Sequence, residues 1–222
     1  MKNIGILGTG NIGTDLVIKL SREENIKIII FSGRRLNSKG ILEAKKLNIP
    51  VSDKSIEFFI ANPHLCDIVF DCTNAKDAKK HAKVFKKLNI KVIDLTPAKV
   101  GQLIVPGIVK IKDTNDNFNM ITCGGQASLP IAHAIYKSGQ KIDYIEVVSN
   151  IASRSAGPAT RQNLDEYIKT TEEALKFFTH ANKVKSILNL NPSEPAINMQ
   201  TTIMAKVLEP DLALIKKDIK IM

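Results

Sequence analysis

The sequence predicts an α/β protein: a doubly wound parallel sheet followed by a smaller α+β domain. Three observations carry this expectation. Short apolar runs bounded by Gly, Asp or Pro alternate with amphipathic stretches over the first 120 residues, as buried parallel strands and their crossover helices do. A glycine-rich turn joins the first run to the first amphipathic stretch, and the texture changes after Pro130.

Taken in order, strands are expected at Asn3 to Leu7, Ile26 to Phe31, Asp67 to Phe70, Lys91 to Asp94 and Phe118 to Thr122. Between them, Ile12 to Arg22, Gly40 to Leu47 and Ala75 to Leu88 read as amphipathic helices. Beyond Pro130 the expectation is a helical stretch at Ile131 to Lys137, a strand at Tyr144 to Ser149 and a polar segment to Gln162. A helix at Asn163 to Lys183 follows, then Asn191-Pro192 and Glu194-Pro195 as turns, then weak helical spacing from Leu208 to Met222. The domains divide as 1–122 and 123–222. There is no internal repeat and no low-complexity linker.

Composition narrows the function. The 222 residues are 44% hydrophobic and 24% charged, enough for a core and too polar for a membrane protein. No apolar run exceeds strand length, and the first stretch lacks the features of a signal peptide. Aromatics at 5% with no Trp leave little with which to stack bases. The net charge of +10 favours phosphorylated metabolites, cofactors or acidic partners. Cys66, Cys72 and Cys123 have no spacing that suggests zinc or a disulfide framework, so a soluble protein of the reducing cytoplasm is expected.

Gly8-Thr9-Gly10-Asn11-Ile12-Gly13 lies between an expected strand and an expected helix, the context a dinucleotide fingerprint needs. Gly8 permits the turn, Gly10 lets backbone approach a pyrophosphate, and Gly13 lets helix pack on strand; the helix N-terminus supplies unpaired N–H donors. At the end of the second strand, where an acid usually holds the ribose hydroxyl, the chain reads Ser32-Gly33-Arg34-Arg35. Without that acid, NADP stands beside NAD. The face bearing Lys76, Lys79, Lys80, Lys83, Lys86 and Lys87 reads as a solvated helix surface.

Cys123 is the candidate nucleophile. It precedes Gly124-Gly125-Gln126 at a strand-to-helix turn, where two glycines let N–H groups converge on an anion and a helix starting near Ser128 to Pro130 would lower the thiol pKa. Gln126 is expected to donate to a developing oxyanion. Cys72, after the Asp67 strand, is the rival nucleophile, read as packing because it lacks the Gly-Gly turn. His133 reads as an ordinary core or surface histidine.

The segment Thr122-Cys123-Gly124-Gly125-Gln126-Ala127 resembles the active-site motif of the acylating acetaldehyde dehydrogenases. The resemblance extends through Gly8 to Leu16, Asp67 to Asp71, Asp94 to Ala98, Ser155-Ala156-Gly157-Pro158-Ala159-Thr160-Arg161 and Asn191 to Pro195, covering the chain to about Thr202. It implies a dinucleotide-binding (Rossmann) domain over 1–122 and a shortened catalytic and dimerisation domain over 123–222. It further implies oxidation of a short aldehyde through a Cys123 thioester, with NAD accepting hydride and coenzyme A accepting the acyl group. By the same resemblance Thr9, Gly10, Asn11 and Ile12 hold the pyrophosphate. Ser155, Ala156, Gly157, Pro158, Ala159, Thr160, Arg161, Gln162 and Asn163 hold the nicotinamide half. The partners implied are a second copy of the chain and a pyruvate-forming aldolase that hands over the aldehyde.

Three departures from the family pattern are legible. A C-terminal segment that completes the cofactor domain is missing, Thr201 stands where the family places Asp, and Ala159 stands where it usually has Gly. Two alternatives therefore stay open: a semialdehyde dehydrogenase using phosphate in place of coenzyme A, and a dinucleotide-binding scaffold with little or no catalysis.

Overall fold

The computed structural model describes residues 1–110, 117–139 and 141–222, with Ala159 described by its backbone alone. Of these, residues 1–102 and 117–119 form one compact unit, and 103–110 and 120–222 form the other.

The first unit opens with β1 (Lys2–Leu7), α1 (Asn11–Leu20), β2 (Ile26–Ser32), α2 (Lys39–Lys46), β3 (Val51–Ser52) and α3 (Ile56–Ala61). β4 (Ile68–Asp71), α4 (Ala75–Lys87), β5 (Lys91–Asp94), β6 (Gln102–Leu103) and β7 (Phe118–Asn119) complete a seven-stranded sheet ordered β3-β2-β1-β4-β5-β7-β6. The pairs β2·β3, β1·β2, β1·β4, β4·β5 and β5·β7 are all parallel. Successive side chains of a strand face opposite sides. Accordingly Ile4 and Ile6 pack with Val17, Phe31 and Ile41, while Leu7 packs with Ile30, Phe59, Val69, Phe85 and Val92. Both faces are covered, which is why these strands read as near-continuous apolar runs.

Caps mark the helices of this unit. Ser38 Oγ accepts from the Ile41 N–H at the start of α2, and the Asn74 side chain accepts from the Asp77 N–H at the start of α4. The lysines expected along α4 are all exposed, so the helix turns a cationic face to solvent. The strand order reverses between β1 and β4. That reversal splays the loops beyond their carboxyl ends and opens the crevice where ligands of such sheets bind.

The second unit contains α5 (Cys123–Lys137), β8 (Ile142–Ala152), a 3₁₀ turn at Ser153–Ser155, α6 (Pro158–Gln162), α7 (Leu164–Thr179), β9 (Lys183–Asn191), β10 (Gln200–Val207) and α8 (Leu212–Ile221). β8 is central, antiparallel to β10 and parallel to β9. Helices α5 and α7 cover one face of this sheet through Ile121, Leu129, Ala132, Ile145, Val147, Ala174 and Leu175.

Several local expectations are corrected. The strand expected at Phe118 to Thr122 ends at Asn119, because Ile121 turns to a positive φ of 62° and Thr122 becomes a helix cap. The helix expected from Ser128 or later begins at Cys123, so Pro130 lies inside it. The helix expected to run to Lys183 stops at Thr179, where His180 adopts a left-handed conformation with φ 52°. Strands β9 and β10 were not foreseen.

Candidate active site

The turn after β1 is built as a cradle. Gly8 has φ +108°, and a Cβ there would meet the backbone of Cys72 beyond β4. A Cβ on Gly13 would strike the Gly8 carbonyl, so this glycine lets α1 sit against the turn. Gly10 is different: apart from its own chain neighbours and helix backbone, no atom of the described residues lies within 4 Å of its Cβ position. α1 starts there with no side-chain cap and no acid in its first turn, which leaves its end suited to an anion. The residues present therefore fit a pyrophosphate.

Among the expected contacts, Asn11 and Ile12 are exposed at the start of α1. Thr9 turns inward: its hydroxyl accepts from Ser38 Oγ at 3.1 Å and its side chain faces Gly33, leaving backbone to meet a ligand. Arg34 and Arg35, beyond β2, are exposed.

At the ends of β4 and β5, Asp71 and Asp94 stand side by side in register, each 1% exposed. Asp71 accepts from Thr73 and pairs with His81 Nδ1 at 2.8 Å. Asp94 accepts from the Thr96 N–H at 2.7 Å and from Asn119 Nδ2 at 3.0 Å. Burial, with the adjacent Asp71 charge adding to it, pushes the Asp94 carboxyl up to about 7. Cys72 is buried in the same neighbourhood. Burial first, and then the two carboxylates, push its thiol well above the usual range, which suits packing rather than nucleophilic attack. Burial and then Asp67 push Cys66 up to about 11.

Cys123 is placed otherwise. It is exposed and is the first residue of α5. Thr122 caps the helix by accepting the Gly125 N–H at 2.9 Å, and its hydroxyl meets that of Thr171 on α7 at 2.7 Å. Sγ lies 3.7 Å from the Tyr167 hydroxyl, also on α7. A Cβ on Gly124 would collide with the Tyr167 hydroxyl and come within 2.5 Å of Ser149 Oγ, so only glycine leaves room for both. The motif's first glycine thus serves a neighbouring helix.

Gln126 departs from its expected role. Its amide nitrogen donates to the carbonyls of Ile104 at 2.7 Å and Met120 at 2.9 Å, so both N–H groups are spent on fastening backbone below the helix. His133 pairs with the Phe178 carbonyl at 3.0 Å, tying α5 to α7. Thr201 lies opposite Ser149 across the β8·β10 pair; its hydroxyl oxygen is buried without a hydrogen-bond partner among the described residues, while Ser149 Oγ faces the Tyr167 hydroxyl.

The Ser155 to Asn163 segment is self-braced. Arg161 donates to the Ala156 and Ser153 carbonyls and to Ser153 Oγ. Ala156 and Asn163 are buried, while Ser155, Pro158, Arg161 and Gln162 are exposed; Gly157 and Thr160 lie between these extremes, and the Ala159 side chain lies outside the described residues. A cavity of about 290 Å³ adjoins this segment, lined by Arg154, Arg161, Asn191 and Glu194 among others.

Comparison with known proteins identifies the family. Residues 123–222 match the family model for prokaryotic acetaldehyde dehydrogenase, dimerisation, and residues 3–109 match that for the semialdehyde dehydrogenase NAD-binding domain. An acetaldehyde dehydrogenase of Spirochaeta aurantia is 54% identical over 96% of this chain and 72% of its own length; one from Pectobacterium atrosepticum is 52% identical over 96% and 73%. The chain belongs to the acetaldehyde dehydrogenase family.

Family membership makes it an oxidoreductase whose first unit is a nucleotide-binding domain. The fold is shared more widely: aspartate semialdehyde dehydrogenase of Candida albicans, solved with NADP, aligns with a TM-score of 0.69 at 19% identity, covering 98% of this chain and 75% of that one. Tyr167 and Ser149 were missed in the sequence, because a tyrosine 44 residues beyond the cysteine on an amphipathic helix carries no local signal.

Proposed function

We propose that this acetaldehyde dehydrogenase family member oxidises a short aldehyde, acetaldehyde being the substrate its relatives are named for, to the acyl-coenzyme A. The observation that carries the reading is the exposed Cys123 at the start of α5, its sulfur beside the hydroxyl of the buried Tyr167. Cys72 and Cys66 offer no comparable position, since both are buried with thiols pushed upward.

Cys123 Sγ attacks the aldehyde carbon, losing its proton to water, and holds the resulting adduct covalently. NAD supplies the hydride acceptor, and coenzyme A the thiol that carries the acyl group away. Gly8 to Gly13, at the start of α1 where no side chain caps the helix, hold the pyrophosphate; Ser155 to Asn163 border the nicotinamide half. Thr122 and Gln126 position the sulfur by fixing the start of α5. The exposed Arg34 and Arg35 leave room for a 2′-phosphate, so NADP is accepted beside NAD. The enzyme works in the cytoplasm as a homo-oligomer built through the second unit, which matches a dimerisation model, and receives its aldehyde from an aldolase.

The test is NADH formation that requires both aldehyde and coenzyme A, and that Cys123→Ala abolishes. Formation of NADH with phosphate in place of coenzyme A, or activity surviving in Cys123→Ala, overturns this reading.

A further inference from the structure

When a sulfur adds to a carbonyl, the carbonyl oxygen gains a negative charge and needs a hydrogen-bond donor. Gln126 has both N–H groups committed to backbone. Tyr167 is available in its stead. Its hydroxyl is 3.7 Å from Cys123 Sγ, and in the adduct one carbon alone separates the oxygen from that sulfur. An oxygen turned toward α7 therefore falls within the distance of about 2.7–3.1 Å at which oxyanion donors act.

Three features keep the phenol a donor. Tyr167 is 6% exposed, and burial, helped by the neighbouring Cys123, pushes its ionisation well above the ordinary range, so the proton stays on. The Ser149 hydroxyl and, more weakly, the Gly124 N–H act on the phenol oxygen as donors, which leaves the O–H for another acceptor. Gly124 lacks the Cβ that would displace the hydroxyl, and Ser149 packs beside the same point.

We propose that the Tyr167 hydroxyl donates a hydrogen bond to the oxygen that becomes negative when Cys123 Sγ adds to a carbonyl carbon. In this step the S–C bond forms, the C=O π bond opens and its electron pair moves to oxygen. The thiol proton has left to water beforehand, and Tyr167 keeps its own. The inference rests on Cys123 being the nucleophile of the proposed reaction.

The experiment uses two probes on the purified chain. p-Nitrophenyl acetate acylates a thiol through a tetrahedral oxyanion and needs neither nicotinamide nor coenzyme A; its nitrophenolate burst reports the carbonyl addition. Iodoacetamide alkylates the same sulfur by displacement at saturated carbon, with no oxyanion. Tyr167→Phe is expected to slow the burst by about 10²-fold while the alkylation rate holds. Equal loss of both rates reduces Tyr167 to a positioning residue and overturns the proposal, as does an unchanged burst. A wild-type chain without a burst, or a burst that survives in Cys123→Ala, brings down the nucleophile reading and this inference with it. A wild-type burst that Tyr167→Phe retains brings down the tyrosine alone. Should Tyr167→Phe fail to fold, fluorotyrosine labelling of the chain's three tyrosines preserves shape and makes a stronger donor. The burst is then expected to quicken at constant alkylation rate, and an unchanged burst overturns the proposal.

Discussion

Asp94→Asn will remove a pH dependence of stability that the wild-type chain carries between about pH 4 and 7, the interval separating the ordinary and raised ionisations of this carboxyl. In the folded chain the group holds its proton up to about pH 7; unfolded, it releases it near the ordinary 3.8. The folded state thus binds more protons across this interval, so stability is fully present below the unfolded value and is lost as pH rises through 7. At 1.36 kcal/mol per pKa unit the full span corresponds to about 4 kcal/mol, and the part lost between pH 5.5 and 8 to about 2 kcal/mol. The carboxyl's 1% exposure means solvent screens little of this. Urea unfolding of both chains, followed at several pH values, isolates the effect as a difference between their slopes. Asn keeps one oxygen to accept from Thr96 or Asn119 and cannot ionise, so its constant loss of a hydrogen bond drops out of the comparison. Parallel pH profiles for the two chains would refute the reasoning, as would a difference of opposite sign.

Two further outcomes follow from the glycines. Gly10→Val places its Cβ in open space, so the melting temperature should hold; the side chain fills the cradle, so NAD affinity by calorimetry should fall at least about tenfold, an energy of about 1.4 kcal/mol. Gly124→Ala drives a methyl into the Tyr167 hydroxyl and Ser149 Oγ, and should destabilise the chain by about 1–3 kcal/mol in urea titrations while also slowing acylation of Cys123.

Much of the first unit was legible because strands covered on both faces announce themselves as apolar runs, and Gly8 and Gly13 are required by close backbone approaches that the structure displays. The sulfur's position was legible from the motif, but the start of its helix was not. Gly124, Gly125 and Pro130 all argue locally against helix, and what overrides them is the Thr122 cap and the fit of Gly124 against Tyr167 and Ser149 from elsewhere in the chain. Gln126 misled for a related reason: its acceptors, the Ile104 and Met120 carbonyls, are brought together by the fold. β9 and β10 escaped because one sheet face is uncovered, so Lys and Asn in Lys183–Asn191 and Gln, Thr and Lys in Gln200–Val207 dilute the apolar signal.

The clamp formed by the Thr122–Thr171 hydroxyl pair and the Cys123–Tyr167 contact lies wholly between α5 and α7. A sulfur bolted to paired rods, in place of a swinging loop, keeps its aim whether or not a nucleotide is nearby. Under the proposed reaction, acyl exchange between thiols, a step with no redox component, should consequently outlast any damage to the glycine turn.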